Sequence, residues 1–428
     1  SGDTITIPAG ATISNSGTAA GFGSTGEVSW NTTKVTTGFT ATSGVGYFAD
    51  TSSAAFTITL PASPSAGNVV AISDYSGNFG TNAITVGRNS SNINGSASDF
   101  NLGKNNVTAQ FIYVDATQGW RVVFTGSQTG DGLTENFVTA TGGTITTCGN
   151  CKIHTFTGPG TFTVSQVADC SSNNVVSYAV VAGGGGGSSD WAGGGGGGGF
   201  REDKSPVTPY TASPLDGAGA ITVCAQGYPI TVGGGGAGGQ GSAGEGPGRQ
   251  GANGTNSVFS TITSAGGGTG GIEIGGVNAT NGGSGGGAWY NGSVGNGNTP
   301  PVSPPQGNNG GAGGGPNGAG GGGGGATQAG QAGSTPPVTG GAGGTGATTN
   351  ISGSPVGYAG GGGGNAPTGG AASPCGSGGA GAGAPKCDPG SAGATNKGGG
   401  GGAGGYSEGA GNGGAGGSGV VIIRYKFQ

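Results

Sequence analysis

From Gly183 to Gly419 the chain is mostly glycine in runs, and short β-type words bracket and interrupt those runs. VVAGGGGG (180–187) opens the region, YPITVGGGG (228–236) interrupts it and GSGVVIIRY (417–425) closes it. A glycine run offers no side chain to bury and loses the most backbone entropy on ordering. Such a segment is either disordered or held by something other than a hydrophobic core. The flanking strand words argue for the second.

The sequence has 428 residues, of which 116 are Gly and 21 Pro, and 7% are charged. Glycine at this level without strict Gly-X-Y spacing is ordinarily a low-complexity signature. Sparse charge opposes disorder, because disordered chains are usually charge-rich. No window sustains a 3.6-residue apolar period, so helices are not expected. The fold class read from the sequence is all-β: a β-solenoid or fibre start, a small β-sandwich module, then a glycine-rich domain. That domain combines a β-sheet base with a bundle of polyglycine-II-type helices.

A net charge of −5 with scattered Lys and Arg argues against a phosphate-binding surface, and no nucleic-acid partner is expected. No stretch of 18 apolar residues is present, so membrane insertion is not expected either. The chain has no methionine and no signal-peptide pattern at Ser1, which reads as part of a longer polypeptide. The six cysteines Cys148, Cys151, Cys170, Cys224, Cys375 and Cys387 are disulfide candidates in a chain with little side-chain volume. Cys375 and Cys387 are close enough to staple one loop; pairing among the others stays open. A single C-x-x-C without a second pair, and one histidine, argue against a metal site; no cofactor is expected.

Four segments follow. Residues 1–28 carry GDTITIPAGATI (2–13), whose Thr/Ile alternation suits a fibre-shaft β segment that needs neighbours to bury its apolar face. Residues 29–127 form a β-sandwich-like module, with strands around Phe56–Leu60 and Val69–Ile72. Its core would come from Phe48, Phe56, Phe79, Phe111, Tyr113, Trp120 and Phe124. Residues 128–149 read as a linker. Residues 150–428 are the glycine-rich distal domain, opening with IHTFTGPGTFTV (153–164) as a hairpin around Gly-Pro-Gly.

Hydrogen-bond accounting decides how glycine runs can be ordered, since buried backbone donors and acceptors must be paired. A polyproline-II helix has three residues per turn and no internal hydrogen bonds. With glycine on every side, neighbouring helices can approach and pair with one another. The strands VVSYAVVA (175–182), ITVC (221–224), YPITV, VFSTITS (258–264) and VVIIRYKF (420–427) would form the anchoring sheet. Islands such as 288–291 and 335–338 would be turns between runs.

At IHTFTGPGTFTV, VVAGGGGG, FREDKSPVTPYTASPL (200–215), YPITVGGGG, NSVFSTITSAGGG (256–268) and GSGVVIIRY, the sequence resembles the glycine-rich C-terminal domain of bacteriophage tail fibres and tail adhesins. Upstream, YFADTSSAAFTITLPASPSAGNVVAISDY (47–75) is similar to a repeated β-module of marine-phage structural proteins. The resemblance implies a distal fibre domain that recognises a host surface. It also implies homotrimeric fibres and a virion or extracellular location. The cysteines and the long insert around 270–410 depart from the family pattern, so no receptor is carried over.

Catalysis is not expected. The lone His154 lies within a strand and reads as structural, and Glu202-Asp203 beside Arg201 reads as a solvated turn. G-x-G-x-x-G recurs through composition alone and lacks a βαβ context. The sequons at Asn278 and Asn350 arise readily in an Asn/Thr-rich chain. Aromatic rings stranded in glycine have little local core to join, and exposed rings serve as binding anchors. Trp191, Trp289, Tyr290, Tyr358 and Tyr406 are therefore the receptor-binding candidates, with rings plugging the ends of the bundle as the competing reading. Phe200 and Tyr210 read as structural. The expected function is a non-enzymatic fibre or adhesin subunit binding a glycan or outer-membrane protein through loops of the glycine-rich domain. A self-assembling filament without a receptor, and an ice-binding surface, are the rival classes.

Overall fold

The computed structural model describes residues 28–126, 136–241, 249–273, 276–315, 318–379, 381, 388–405 and 411–428. The fibre-shaft segment assigned to 1–28 therefore lies, but for its last residue, outside the described residues. The chain divides into two compact units, Ser1–Thr134 and Glu135–Gln428. Among the described residues the regular structure is all β apart from short 3-10 segments such as Ser171–Asn174.

In the first unit the chain alternates between two sheets. Strands β1 (Ser29–Val35), β3 (Val45–Ala49) and β5 (Val69–Asp74) pair in parallel in one, with β8 (Thr108–Asp115) and β9 (Gly119–Gly126) added antiparallel. Strands β2 (Phe39–Thr40), β4 (Phe56–Thr59) and β6 (Ile84–Gly87) pair in parallel in the other, which β7 (Phe100–Leu102) completes. Inward-facing residues of both sheets, including Ile58, Ile72, Ile84, Phe111 and Trp120, share one core with Phe79 from the β5–β6 loop. Phe56, Tyr113 and Phe124 pack on its margin, whereas Phe48 points outward and stacks on Trp30 at 4.8 Å. The period-2 alternation places Ala109 and Phe111 inside and Gln110 outside.

The second unit stacks a five-stranded sheet on a six-stranded one. The first orders β10 (Thr139–Thr141), β13 (Gly160–Gln166), β17 (Gly227–Thr231), β18 (Ser257–Phe259) and β19 (Ile262–Ser264). The second orders β11 (Thr144–Cys148), β12 (Cys151–Phe156), β22 (Val420–Lys426), β14 (Val175–Val181) and β15 (Phe200–Asp203), with β16 (Ile221–Thr222) beside β14. A two-stranded sheet of β20 (Ala347–Thr349) and β21 (Val356–Tyr358) has no strand pairing with these and packs against the six-stranded sheet.

Three expectations change here. Residues 153–164 are not a hairpin: β12 pairs with β11 and β22, while β13 pairs with β10 and β17. The Gly-Pro-Gly segment carries the chain from one sheet to the other, which sends Phe156 and Phe162 into the same inter-sheet core. The anchoring strands likewise divide between two sheets. Residues 139–148, read as part of a linker, form β10 and β11 of the second unit.

The six-stranded sheet is covered on both faces, so β14 and β22 read as continuous apolar words. Tyr178, Val180, Val421, Ile423 and Tyr425 face the core shared with Phe162, Tyr228 and Phe259. Ala179, Val181, Val420 and Ile422 face Phe200, Ile351 and Tyr358 on the other side. Each buried Val or Ile contributes on the order of 1.5–3 kcal/mol, and this base holds the ends of the glycine runs.

Candidate functional site

The glycine runs leave β14 at Ala182, return into β15 at Phe200 and continue through the later sequence, neither helical nor paired as strands. Their backbone groups pair between runs in a three-residue rhythm. Gly193, Gly196 and Gly199 donate to Gly271, Gly268 and Ala265; Gly194 and Gly197 donate to Gly321 and Gly324; Gly195 and Gly198 donate to Gly401 and Gly398, all at 2.7–3.1 Å. Carbonyls of the same run accept from the N–H groups of Gly185, Ser284, Gly287 and Gly362. One run thus bonds to six others. A β-carbon on Gly193, Gly194, Gly195 or Gly197 would collide with the carbonyl of Gly287, Gly362, Gly185 or Ala359 respectively. Only glycine fits, because the neighbouring backbones occupy the space a side chain would take.

These pairings fix which end each turn occupies. Gly271, Gly287 and Gly321 lie level with Gly193 and Gly194, beside Trp191, whereas Ala265 lies level with Gly199 beside β15. The turns at 190–191, 276–277 and 289–292 therefore gather at the tip, away from the sheets. Bridges Ala192–Ile272 and Ile272–Val277 tie two of them together, over a small cluster of Ala192, Ile272, Val277 and Ala403. Ser334 and Thr339 close another turn around 335–338.

The tip brings together three of the five candidate rings. Trp191 and Trp289 lie tilted against each other, with ring centres 5.1 Å apart and 44° between their planes, and Tyr290 is 39% exposed. Trp191 is half-buried, with its ring over Gly318; Trp289 is buried, and its indole Nε1 has no hydrogen-bond partner among the described residues. Asp190, Trp191 and Tyr290 have φ of 63°, 45° and 40°, a left-handed region costly for side-chain-bearing residues. Asp190 is held by an ion pair with Arg249, and the Ser189 N–H donates to the Arg249 carbonyl at 2.9 Å. Tyr358 departs from expectation: it is buried at the base, stacked on Phe200 at 6.3 Å, and offers no surface to a receptor. Tyr406 lies outside the described residues.

A protein-family model described as a glycine-rich domain matches residues 155–426, more than half of the chain. The chain belongs to the glycine-rich domain family. No curated protein matches it.

The polar groups of the glycine-rich domain serve mainly its frame. His154 is buried, with Nδ1 2.7 Å from the Gly142 carbonyl oxygen and Nε2 3.1 Å from the Tyr425 hydroxyl. Burial holds its pKa below the ordinary histidine value, outweighing the opposing bond to Gly142. Glu202 is not in a solvated turn: it lies in β15, wholly buried. Its carboxylate accepts from the Ser213 N–H at 2.9 Å and the Thr349 hydroxyl at 2.5 Å. Burial is the main cause that raises its pKa. Tyr210 is half-buried under the Arg424 guanidinium, 5.3 Å from its ring centre, and Phe200 is fully buried, so both are structural.

The described cysteines Cys148, Cys151, Cys224 and Cys375 do not form the expected disulfides. Cys148, Cys151, Cys224 and Cys375 are thiols, although Cys148 and Cys151 face each other across the β11–β12 register. Cys375 Sγ sits 3.1 Å from Ser373 Oγ and 2.9 Å from Ser377 Oγ, and Cys170 Sγ sits 3.1 Å from Ser172 Oγ. Cys387 lies outside the described residues. Backbone pairing supplies the restraint that cross-links were expected to give.

Asparagine has a role that composition alone did not signal. Asn253 and Asn256 accept through Oδ1 from the N–H groups of Thr269 and Gly266; Asn278 and Asn281 accept from Ser293 and Asn296; Asn309 accepts from Gly297. Each carboxamide stands where a neighbouring carbonyl is missing. The cue in the sequence is Asn repeated at three-residue spacing, at 253/256 and 278/281.

Proposed function

We propose that this chain is a fibre or adhesin subunit that recognises a cell surface through the tip turns of its glycine-rich domain, with the runs packed as polyglycine-II-type helices. The observation that carries the reading is the clustering of Trp191, Trp289 and Tyr290 at one end of a frame packed largely backbone against backbone. Three residues per turn accounts for donors that step to a new neighbour at each residue and return every third. In such a frame, sequence can vary for recognition only at turns and outer surfaces. Rigid rings limit the entropy lost on binding. The resemblance to phage tail adhesins supports the same reading, with a homotrimer, a virion location and no enzymatic activity following from it.

The test is labelling of a panel of bacterial cells by the purified, fluorescently tagged chain, with Tyr290→Ala alongside. The reading requires at least one cell type bound by wild type and labelled far more weakly by the variant. Equal labelling by both, or none by either, defeats it. Burial of Trp289 favours the filament alternative, in which the tip is a plug; concentration-dependent polymers in ultracentrifugation without cell labelling would support that instead.

A further inference from the structure

One flank of the glycine-rich domain carries a second surface. Asn253, Asn256, Asn278, Asn281 and Asn309 are exposed, and each Oδ1 is fixed by a backbone N–H at 2.7–3.0 Å. With Oδ1 pinned inward, each Nδ2 amino group is left without a protein partner among the described residues. The runs that bear these residues are neighbours. Asn253 Oδ1 accepts from the Thr280 hydroxyl on the next run, the Ala279 N–H donates to Ser293 and the Gly310 N–H to Gly295. From Gln250 to Pro385 the sequence contains one charged residue, Glu273, which follows Ile272 at the tip. The flank is therefore a neutral face of oriented amide donors repeating every third residue.

We propose that this flank binds an extended, uncharged polysaccharide. Neutral hydroxyl-rich chains supply acceptors at repeated intervals and carry no charge to be left unpaired against a face without counter-charges. Pre-fixed carboxamides lose little side-chain entropy on binding, and several weak bonds along one polymer act together. The site runs along the flank to the edge of the tip, where the Ser293 N–H that holds Asn278 follows the 289–292 turn, and it does not use the tip rings.

Native gel electrophoresis of the full chain in gels containing amylose, dextran or galactomannan tests this, with dextran sulfate and polygalacturonate as charged controls. At least one neutral polymer is expected to retard the wild type, and the charged ones are not. Asn253→Asp with Asn278→Asp keeps both Oδ1 acceptors and removes both donors. It should weaken retardation roughly tenfold or more with little change in melting temperature. Gln331→Glu, an exposed side chain with no described protein bond on the neighbouring run, should weaken it as well. Tyr290→Ala should be retarded like wild type, which separates failure here from failure of the tip reading. The proposal is overturned if no neutral polymer retards the protein, if the Asp variant binds as wild type does, or if Tyr290→Ala alone abolishes retardation.

Discussion

Gly195→Ala and Gly234→Ala place the same methyl group in two runs of the same domain and should have opposite effects. At Gly195 the new β-carbon would meet the carbonyl of Gly185, so two runs must separate. That movement loosens the bonds Gly195 makes to the Gly401 carbonyl and accepts from the Gly362 N–H, both 2.9 Å. Overpacking costs about 1–3 kcal/mol, and each weakened bond forfeits about 1 kcal/mol. The combined loss is therefore about 3–5 kcal/mol. For a unit of this size it lowers Tm by on the order of 10 °C. Gly234 is exposed, and its nearest neighbour to a new β-carbon is Thr255 Oγ1 at 3.9 Å. Alanine there keeps the native contacts while restricting the unfolded chain, which stabilises by about 0.4–1 kcal/mol. Differential scanning fluorimetry of both variants is the assay. Melting temperatures that agree within a degree would refute the reasoning, because the two sites differ only in whether a neighbouring backbone fills the space.

Three further outcomes are expected. His154 is neutral in the fold with a depressed pKa, so the unfolded state binds the extra proton. Stability is then intact above about pH 6.5 and falls as pH drops below it, with a slope approaching 1.4 kcal/mol per pH unit, about the single-proton limit. His154→Gln should flatten that part of the curve in denaturant titrations, and an unchanged slope would exclude His154 as its source. Arg249→Ala removes the partner of Asp190 and should red-shift tryptophan emission as Trp191 loosens; identical spectra would show that the ion pair does not position the turn. A native thiol titration should label exposed Cys224 at once and Cys151, 1% exposed, only on unfolding; labelling of both at equal rates would contradict the packing of β12.

The parts legible in the sequence were those written in side chains. VVSYAVV, VVIIRYK and VVAISD announce strands as continuous apolar, β-branched words, and FTIT because its alternation survives any context. The division of strands between sheets was not legible, since Gly158-Pro159-Gly160 serves a hairpin and a crossing between sheets equally well. Glu202 was misplaced because a charged residue in a Pro-rich stretch looks solvated. Only the fold shows Ser213 and Thr349 converging on it. For the candidate site, the rings at 191 and 289–290 were visible as islands in glycine, but the same logic mistook Tyr358 for exposed. Its partner Phe200 lies far away in sequence. Which runs neighbour which is illegible in principle, because identical glycines carry no address; the tip turns and asparagines supply it.

Residue-resolved hydrogen exchange across Gly183–Gly199 is the most direct test of a domain ordered by pairing between runs. Amides at Gly193 through Gly199 should exchange as slowly as those of β14 and β22, opening only with the whole unit. Exchange at free-peptide rates in this run, beside protected strands, would contradict the inter-run bonds and leave the glycines as loose loops on a β-sandwich.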